Sequence, residues 1–247
     1  MGFKVRRLFP LLVIVAVFCA TKAFSSPIAL QLVSGSTTVI VSDQDVVISP
    51  AATNADQDPT PGEVSWTGGV GGWNVNVVLG LGSLATGTIE DMDLTYNASG
   101  GPSTTAPLTI WFTEVNVPTP LPFFSAGDGG SNNRTDTEYS ASSDGGNGYF
   151  TSGTLIADSG VISTQGAFAY NGSGAGSLST PFSVTQMITI SPDGVLVSGR
   201  RLATGDAELI GTLVPEPSTV LLLAIGLAGL VLYPRMFPDS NTVNQRV

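Results

Sequence analysis

Apolar residues recur with period two along most of the chain. Trp73, Val75, Val77 and Leu79 alternate with Asn74, Asn76 and Val78. Met92, Leu94 and Tyr96 alternate with Asp91, Asp93 and Thr95, and Leu108, Ile110 and Phe112 with Thr109 and Thr113. Phe182, Val184, Gln186, Ile188 and Ile190 alternate with Ser183, Thr185 and Thr189, and Val39, Val41 and Val47 lie in a similar β-branched region. Period two puts successive side chains on opposite faces of a strand. No window carries the i, i+3, i+4, i+7 stripe of an amphipathic helix. Gly68-Gly69, Gly100-Gly101-Pro102, Gly129-Gly130 and Gly145-Gly146 separate the runs, and Pro192-Asp193-Gly194 reads as a turn between strands. Many short strands with frequent turns predict an all-β domain, a β-sandwich or jelly roll. No repeat period indicates a solenoid. Two stretches are expected to be irregular: Ser49–Gly62, with three prolines, and Asp128–Gly148, a long loop or poorly packed hairpin.

Two runs break the alternation, one at each end. Leu8–Ala20 is apolar throughout and follows the basic residues Lys4, Arg6 and Arg7. With small residues at Thr21, Ala23 and Ser25 for cleavage, residues 1–26 read as a secretory signal peptide. Cys19 falls inside the apolar run behind the bulky Phe18 and is an ordinary member of it. Val220–Tyr233 is apolar on every face, as a membrane helix is and an amphipathic helix is not. Fourteen helical residues span about 21 Å, short of a ~30 Å hydrocarbon core. The predicted organisation is a signal peptide over 1–26 and an ectodomain over 27–213. A C-terminal segment over 214–247 follows, with a transmembrane helix at about 218–234 and a short cytoplasmic tail.

Charge sharpens this picture. The 247 residues carry a net charge of −10 and no histidine. Residues 27–213 hold three arginines, no lysine and 17 acids, a net charge of −14. That block cannot neutralise a run of phosphates, which argues against nucleic-acid binding. Without histidine there is no Ser-His triad, Cys-His dyad or His-ligated metal, and one cysteine leaves no disulfide or CxxC site. Serine and threonine number 45 in this block and glycine 27, yet the recurring apolar alternation sets it apart from a disordered chain.

Val214-Pro215-Glu216-Pro217-Ser218-Thr219 stands directly before the second apolar run, and Arg235 directly after it. This order resembles the PEP-CTERM sorting signal of exported proteins of Gram-negative bacteria. The resemblance implies passage through the secretion translocon and a transient stay in the inner membrane, with Arg235 as membrane stop. It also implies processing by an exosortase-type transpeptidase and delivery to the cell surface or beyond, in association with exopolysaccharide. The family's tight basic cluster is reduced here to Arg235, with twelve residues after it. Independently of the family, Pro215 and Pro217 remove two backbone donors and hold Val214 and Glu216 out of the α region. The segment is therefore extended, the form in which proteases and transpeptidases bind a chain.

The ectodomain offers carboxylates and indoles as candidate chemistry. Glu90, Asp91 and Asp93 fall on one predicted strand, with Asp91 and Asp93 on a shared face. Such neighbours do not supply the two carboxylates across a cleft that a glycosidase needs, and no catalytic residue is assigned. Oxygen-rich clusters at Asp43 and Asp45, at Asp56 and Asp58, and at Asp128, Asp136, Glu138 and Asp144 make calcium the one candidate cofactor, although none has EF-hand spacing. Of three tryptophans, Trp73 shares parity with core valines. Trp111 shares the face of Thr109 and Thr113 and is the candidate for stacking on a ligand. The reading is a non-enzymatic exported protein, structural or adhesive. A carbohydrate-binding module and a two-carboxylate hydrolase are the alternatives.

Overall fold

The computed structural model describes residues 27–82, 91–118, 120–177, 179–193 and 199–212, together with Ile225 and Leu227. The expected signal peptide, the motif Val214–Thr219 and Arg235 lie outside the described residues. Ile225 and Leu227 are helical and exposed. Among the described residues no helix is long and apolar enough to cross a membrane.

The strands are β1 (Ile28–Ser34), β2 (Thr37–Ser42), β3 (Glu63–Val70), β4 (Trp73–Gly82), β5 (Asp91–Gly100), β6 (Leu108–Val117), β7 (Phe123–Asn133), β8 (Thr135–Asp144), β9 (Thr154–Ile162), β10 (Gly166–Ala175), β11 (Phe182–Pro192) and β12 (Arg201–Thr212). They form two six-stranded sheets, ordered β2-β1-β6-β11-β8-β9 and β10-β7-β12-β5-β4-β3. Every pairing is antiparallel. The all-β sandwich expected from the alternation is therefore present. One 3-10 turn, Asp43–Asp45, follows β2.

Period two explains how the sheets close on each other. Trp73, Val75, Val77 and Leu79 on β4, and Met92, Leu94 and Tyr96 on β5, face Leu108, Ile110 and Phe112 on β6 and Ile188 and Ile190 on β11 in one core. Trp66 is buried as well. Trp73 also has its polar edge satisfied: Nε1 donates to the Ala106 carbonyl at 2.9 Å.

One expectation fails. Asp128–Gly148 is not a loop, because most of it is β7 and β8, both internal to their sheets. β7 pairs with β10 and β12, and β8 with β9 and β11. The alternation is real there, but its inner positions carry Ala126, Asp128, Gly130 and Asn132, then Thr135 and Thr137, which a hydrophobic pattern does not register. Asn132, Thr135 and Thr137 are paired inside the sandwich. Thr137 donates to Asn132 Oδ1 at 2.7 Å, Asn132 Nδ2 to the Ile162 carbonyl at 3.1 Å and Thr135 to the Leu202 carbonyl at 2.9 Å. Glycine has a packing role on the same strands. A Cβ on Gly205 would collide with the Tyr96 ring, and one on Gly130 with the Thr204 carbonyl. Ser49–Gly62 is irregular, as expected.

Candidate functional site: an acidic trough on one sheet face

On β5 and β12 acids occupy the outer positions and apolar residues the inner ones, as Asp91-Met92-Asp93-Leu94 and as Asp206-Ala207-Glu208-Leu209. The register sets Asp93 opposite Glu208 and Thr95 opposite Asp206. β12 next meets β7 at Gly127 and Gly129, whose lack of side chains leaves a depression bounded on the far side by Ala169 and Asn171 of β10. The result is an open trough of about 380 Å³ with four carboxylates, Asp91, Asp93, Asp206 and Glu208, along one side.

Like charges this close cannot all ionise together. The Asp93 pKa is pushed up to about 6, first by burial, then by a hydrogen bond to Asp206, and then by the charges of Asp206, Asp91 and Glu208. Below that pH Asp93 is a donor to Asp206, whose Oδ1 also accepts from Thr95 Oγ1 at 3.1 Å. The trough thus presents several acceptors, one switchable donor and the Asn171 amide. This set suits a hydroxyl-rich ligand. Asp93 and Asp206, which share a hydrogen bond on one face, are too close to flank a scissile glycosidic bond between them.

Beneath the trough, on the inner face of β7, lies Asp128. It is 2% exposed, and its Oδ1 accepts from the Tyr96 hydroxyl at 3.4 Å. Burial drives its pKa up to about 7, against the lowering effect of the Tyr96 bond, and the charge of Asp206 adds to the rise. Burial likewise pushes the Tyr96 and Tyr139 hydroxyls well above the usual phenol range.

The calcium candidates do not converge. Asp128 points into the sandwich, whereas Asp136 and Glu138 are on the outer side of β8. Asp144 accepts from Gly146 N and from Thr151 Oγ1, which hold its carboxyl below the usual range. In the other cluster, Asp43 accepts from Gly62 N at 2.9 Å, Asp45 from Asp56 N at 3.1 Å, Asp56 from Ser65 N at 3.1 Å and Asp58 from Thr60 N at 2.8 Å. These carboxylates fold the 43–62 loop through its own backbone. Burial raises the Asp43 pKa, the Gly62 amide opposes the rise, and the nearby Asp56 and Asp58 charges add to it. Among the described residues no group of three or more acids is spaced to hold a metal. Trp111 is half-buried on the outer face of the other sheet, in register with Gln31 and Met187, away from the trough.

Sequence reading found Asp91 and Asp93 but missed their partners Asp206 and Glu208. The same acid–apolar alternation marks both strands, yet only the pairing of β5 with β12, more than a hundred residues apart, brings the four carboxylates together.

Comparison with known proteins places a PEP-CTERM protein-sorting motif at residues 213–235. The chain therefore carries this sorting signal, which marks an exported protein and implies processing by an exosortase. No curated protein sequence matches the chain. Among solved structures, it is similar to the carbohydrate-binding module TmCBM61 in complex with β-1,4-galactotriose, at 9% identity and a TM-score of 0.32 over 57% of this chain and 88% of that one. It is also similar to a chain of infectious bursal disease virus Gx strain, at 12% identity and a TM-score of 0.37 over 77% and 56%. A third similarity is to the mannan-recognising module TmCBM27, at 9% identity and a TM-score of 0.30 over 61% and 89%. Likeness at this level says nothing about a ligand of this chain.

Proposed function

We propose that this is a non-enzymatic exported protein. Its sandwich is delivered to the cell surface or extracellular matrix by way of a transient inner-membrane stage, and acts there structurally or adhesively in association with exopolysaccharide. The observation that carries the reading is the junction at Thr212. β12 ends there, and the sorting motif begins at the next residue. The exosortase-type enzyme acts at Pro215-Glu216-Pro217, where two prolines enforce an extended backbone, and the apolar run Val220–Tyr233 serves as a temporary anchor. The test is the intact mass of the surface form in strains with and without the transpeptidase. Loss of the C-terminal segment only when the enzyme is present is expected. A surface form that keeps Val220–Val247 in both strains refutes the sorting step.

A second reading, glycan binding on the same scaffold, is favoured by the trough. Its acceptors, its protonated Asp93 and its Asn171 amide match the hydroxyls of a sugar better than they match a metal. Under this reading binding of an acidic or neutral polysaccharide weakens above pH 6, where Asp93 loses its proton and the trough gains charge. Binding unaffected by Asp93→Asn across pH 5–8 removes the trough from the account.

A further inference from the structure

A sandwich of two open sheets has four edge strands, here β2, β9, β10 and β3. Free edges invite pairing with another chain, and folded proteins block them. Three of the four are blocked. The β2 edge is capped at Ile40, whose N–H donates to Thr53 Oγ1 and whose carbonyl accepts from Thr53 N and Asn54 N. The β3 edge is capped by the same loop. Gln57 N donates to the Ser65 carbonyl, Thr67 N to Gln57 Oε1 and Ser65 N to Asp56 Oδ1. The β9 edge is broken by two register shifts against β8 and by Gly160 at φ 58°.

β10 has none of these devices. Its ten residues, Gly-Ala-Phe-Ala-Tyr-Asn-Gly-Ser-Gly-Ala, contain no charge and no proline. They pair with β7 one for one without a bulge, so the strand is regular along its whole length. Gly174 lets the β9 backbone at Ile156 lie against the inner face of β10, and Gly172 makes room for the Tyr170 ring and the Ala157 methyl, but no ladder joins the two strands. Among the described residues no backbone hydrogen bond from a loop reaches the free edge. Exposed apolar side chains flank it: Leu155 (59%) and Val161 (64%) on β9, and Phe123 (62%), paired with Ala175 at the end of β10.

We propose that β10 is a self-association edge, and that two copies of this chain join antiparallel through it into one continuous twelve-stranded sheet. The occupant follows from charge and symmetry. Residues 27–213 carry a net charge of −14, so two copies repel each other over most of their surface. An uncharged strand is where they can meet. Antiparallel pairing of identical strands is self-complementary about a two-fold axis, and so closes as a dimer. The flanking apolar residues become covered by the second copy. The inference gives the structural role proposed above a molecular basis, but it does not depend on the sorting step.

The test uses the full chain exported from its host, in a Cys19→Ala background so that no native thiol remains. Single cysteines are placed at Ala167, Ala169, Asn171, Ser173 and Ala175, all exposed on the outer face of β10. Oxidation is expected to give a disulfide-linked dimer with a sharp maximum at one position, the residue nearest the two-fold axis, and little at its neighbours. Sedimentation of the mature protein is expected to show a dimer that tightens as salt rises from 10 to 500 mM, because salt screens the repulsion of two acidic bodies. The double variant Ala167→Asp/Ser173→Asp, at exposed positions outside the trough, places like charges across the joint and is expected to weaken the dimer about tenfold or more. Both sites are exposed, so its circular dichroism and thermal midpoint should stay those of the parent. A monomer at all concentrations, or cross-linking equal at all five positions, overturns the proposal. A dimer unaffected by the double variant also overturns it, since self-association then uses another surface. A failure of sorting alone changes the mass of the mature chain and leaves these readouts intact.

Discussion

Asp128→Asn is expected to stabilise the sandwich at alkaline pH and to leave it almost unchanged at acid pH. The carboxyl is 2% exposed and faces the Tyr96 and Tyr139 hydroxyls, with the Asp206 charge acting across the sheet from the trough above. Its Oδ2 and the Tyr139 hydroxyl have no hydrogen-bond partner among the described residues. The folded-state pKa is raised from 3.8 to about 7. The native state therefore keeps a proton that the unfolded chain has already released. Stability from this group is complete below pH 3.8 and declines as pH rises towards 7, at about 1.4 kcal/mol per pH unit. The total loss across the window is about 4 kcal/mol, a large share of the roughly 5–15 kcal/mol that holds a domain folded. Asparagine keeps the shape of the protonated acid and cannot ionise. Urea unfolding of parent and variant at pH 4, 5, 6, 7 and 8 gives the difference directly, and that difference should be near zero at pH 4, grow through pH 5 and 6 and level off above 7. A difference independent of pH would mean that Asp128 is not held protonated in the fold, and the burial argument would fail.

Other outcomes follow from the same packing. Tyr96→Phe removes the hydrogen bond that favours the Asp128 carboxylate, so the pH at which the difference levels off should move upward. Gly205→Ala drives a methyl into the Tyr96 ring and should cost about 1–3 kcal/mol in chemical denaturation, whereas Gly101→Ala, with open space at its Cβ, should cost well under 1 kcal/mol. Trp73→Ala should cost about 3–5 kcal/mol, combining lost burial with an orphaned Ala106 carbonyl. The thermal midpoint should be the same in millimolar calcium and in chelator, because backbone amides already occupy the carboxylates of the 43–62 loop.

The strands with apolar inner rows were legible from sequence because burial and period coincide there. The inner row of β5 runs Met92, Leu94, Tyr96, and that of β4 runs Trp73, Val75, Val77, Leu79. β7 and β8 were not legible, for a physical reason. Their inner rows include Asn132, Thr135 and Thr137, which satisfy one another across the sandwich, and Asp128, which accepts from Tyr96, so polar side chains stand where a hydrophobic pattern forbids them. The glycines read as turn punctuation at Gly129-Gly130 are instead mid-strand positions that admit neighbouring aromatic rings and backbone. The trough was half legible. Asp91 and Asp93 announce an acidic face, but the opposing carboxylates belong to a strand whose place in the sheet depends on contacts distant along the chain. The calcium candidates illustrate the converse: Asp128 and Asp136 are near in sequence, yet one points into the sandwich and the other stands on the outer side of β8.

If the chain is held by its C-terminal segment, as the sorting reading proposes, the junction at Thr212 has a mechanical consequence. Any acceptor or anchor beyond Thr212 pulls on β12, and β12 is central in its sheet rather than at an edge. Eleven consecutive residues of β12, Leu202–Thr212, pair with β7, and ten, Arg201–Ile210, pair with β5. The Arg201 guanidinium adds a clamp at the far end, donating from Nη1 to the carbonyls of Gly101 and Pro102 at 2.9 Å each. A pull directed along β12 shears two ladders at once instead of peeling one strand from an edge, so many hydrogen bonds must yield together. β10 is separated from β12 by β7 alone, so a copy paired through the open edge would pass its load to the tethered strand across a single intervening ladder partner. The strand that leads to the sorting motif is thus among the best supported in the fold, and the strand left free for another copy lies two places away in the same sheet.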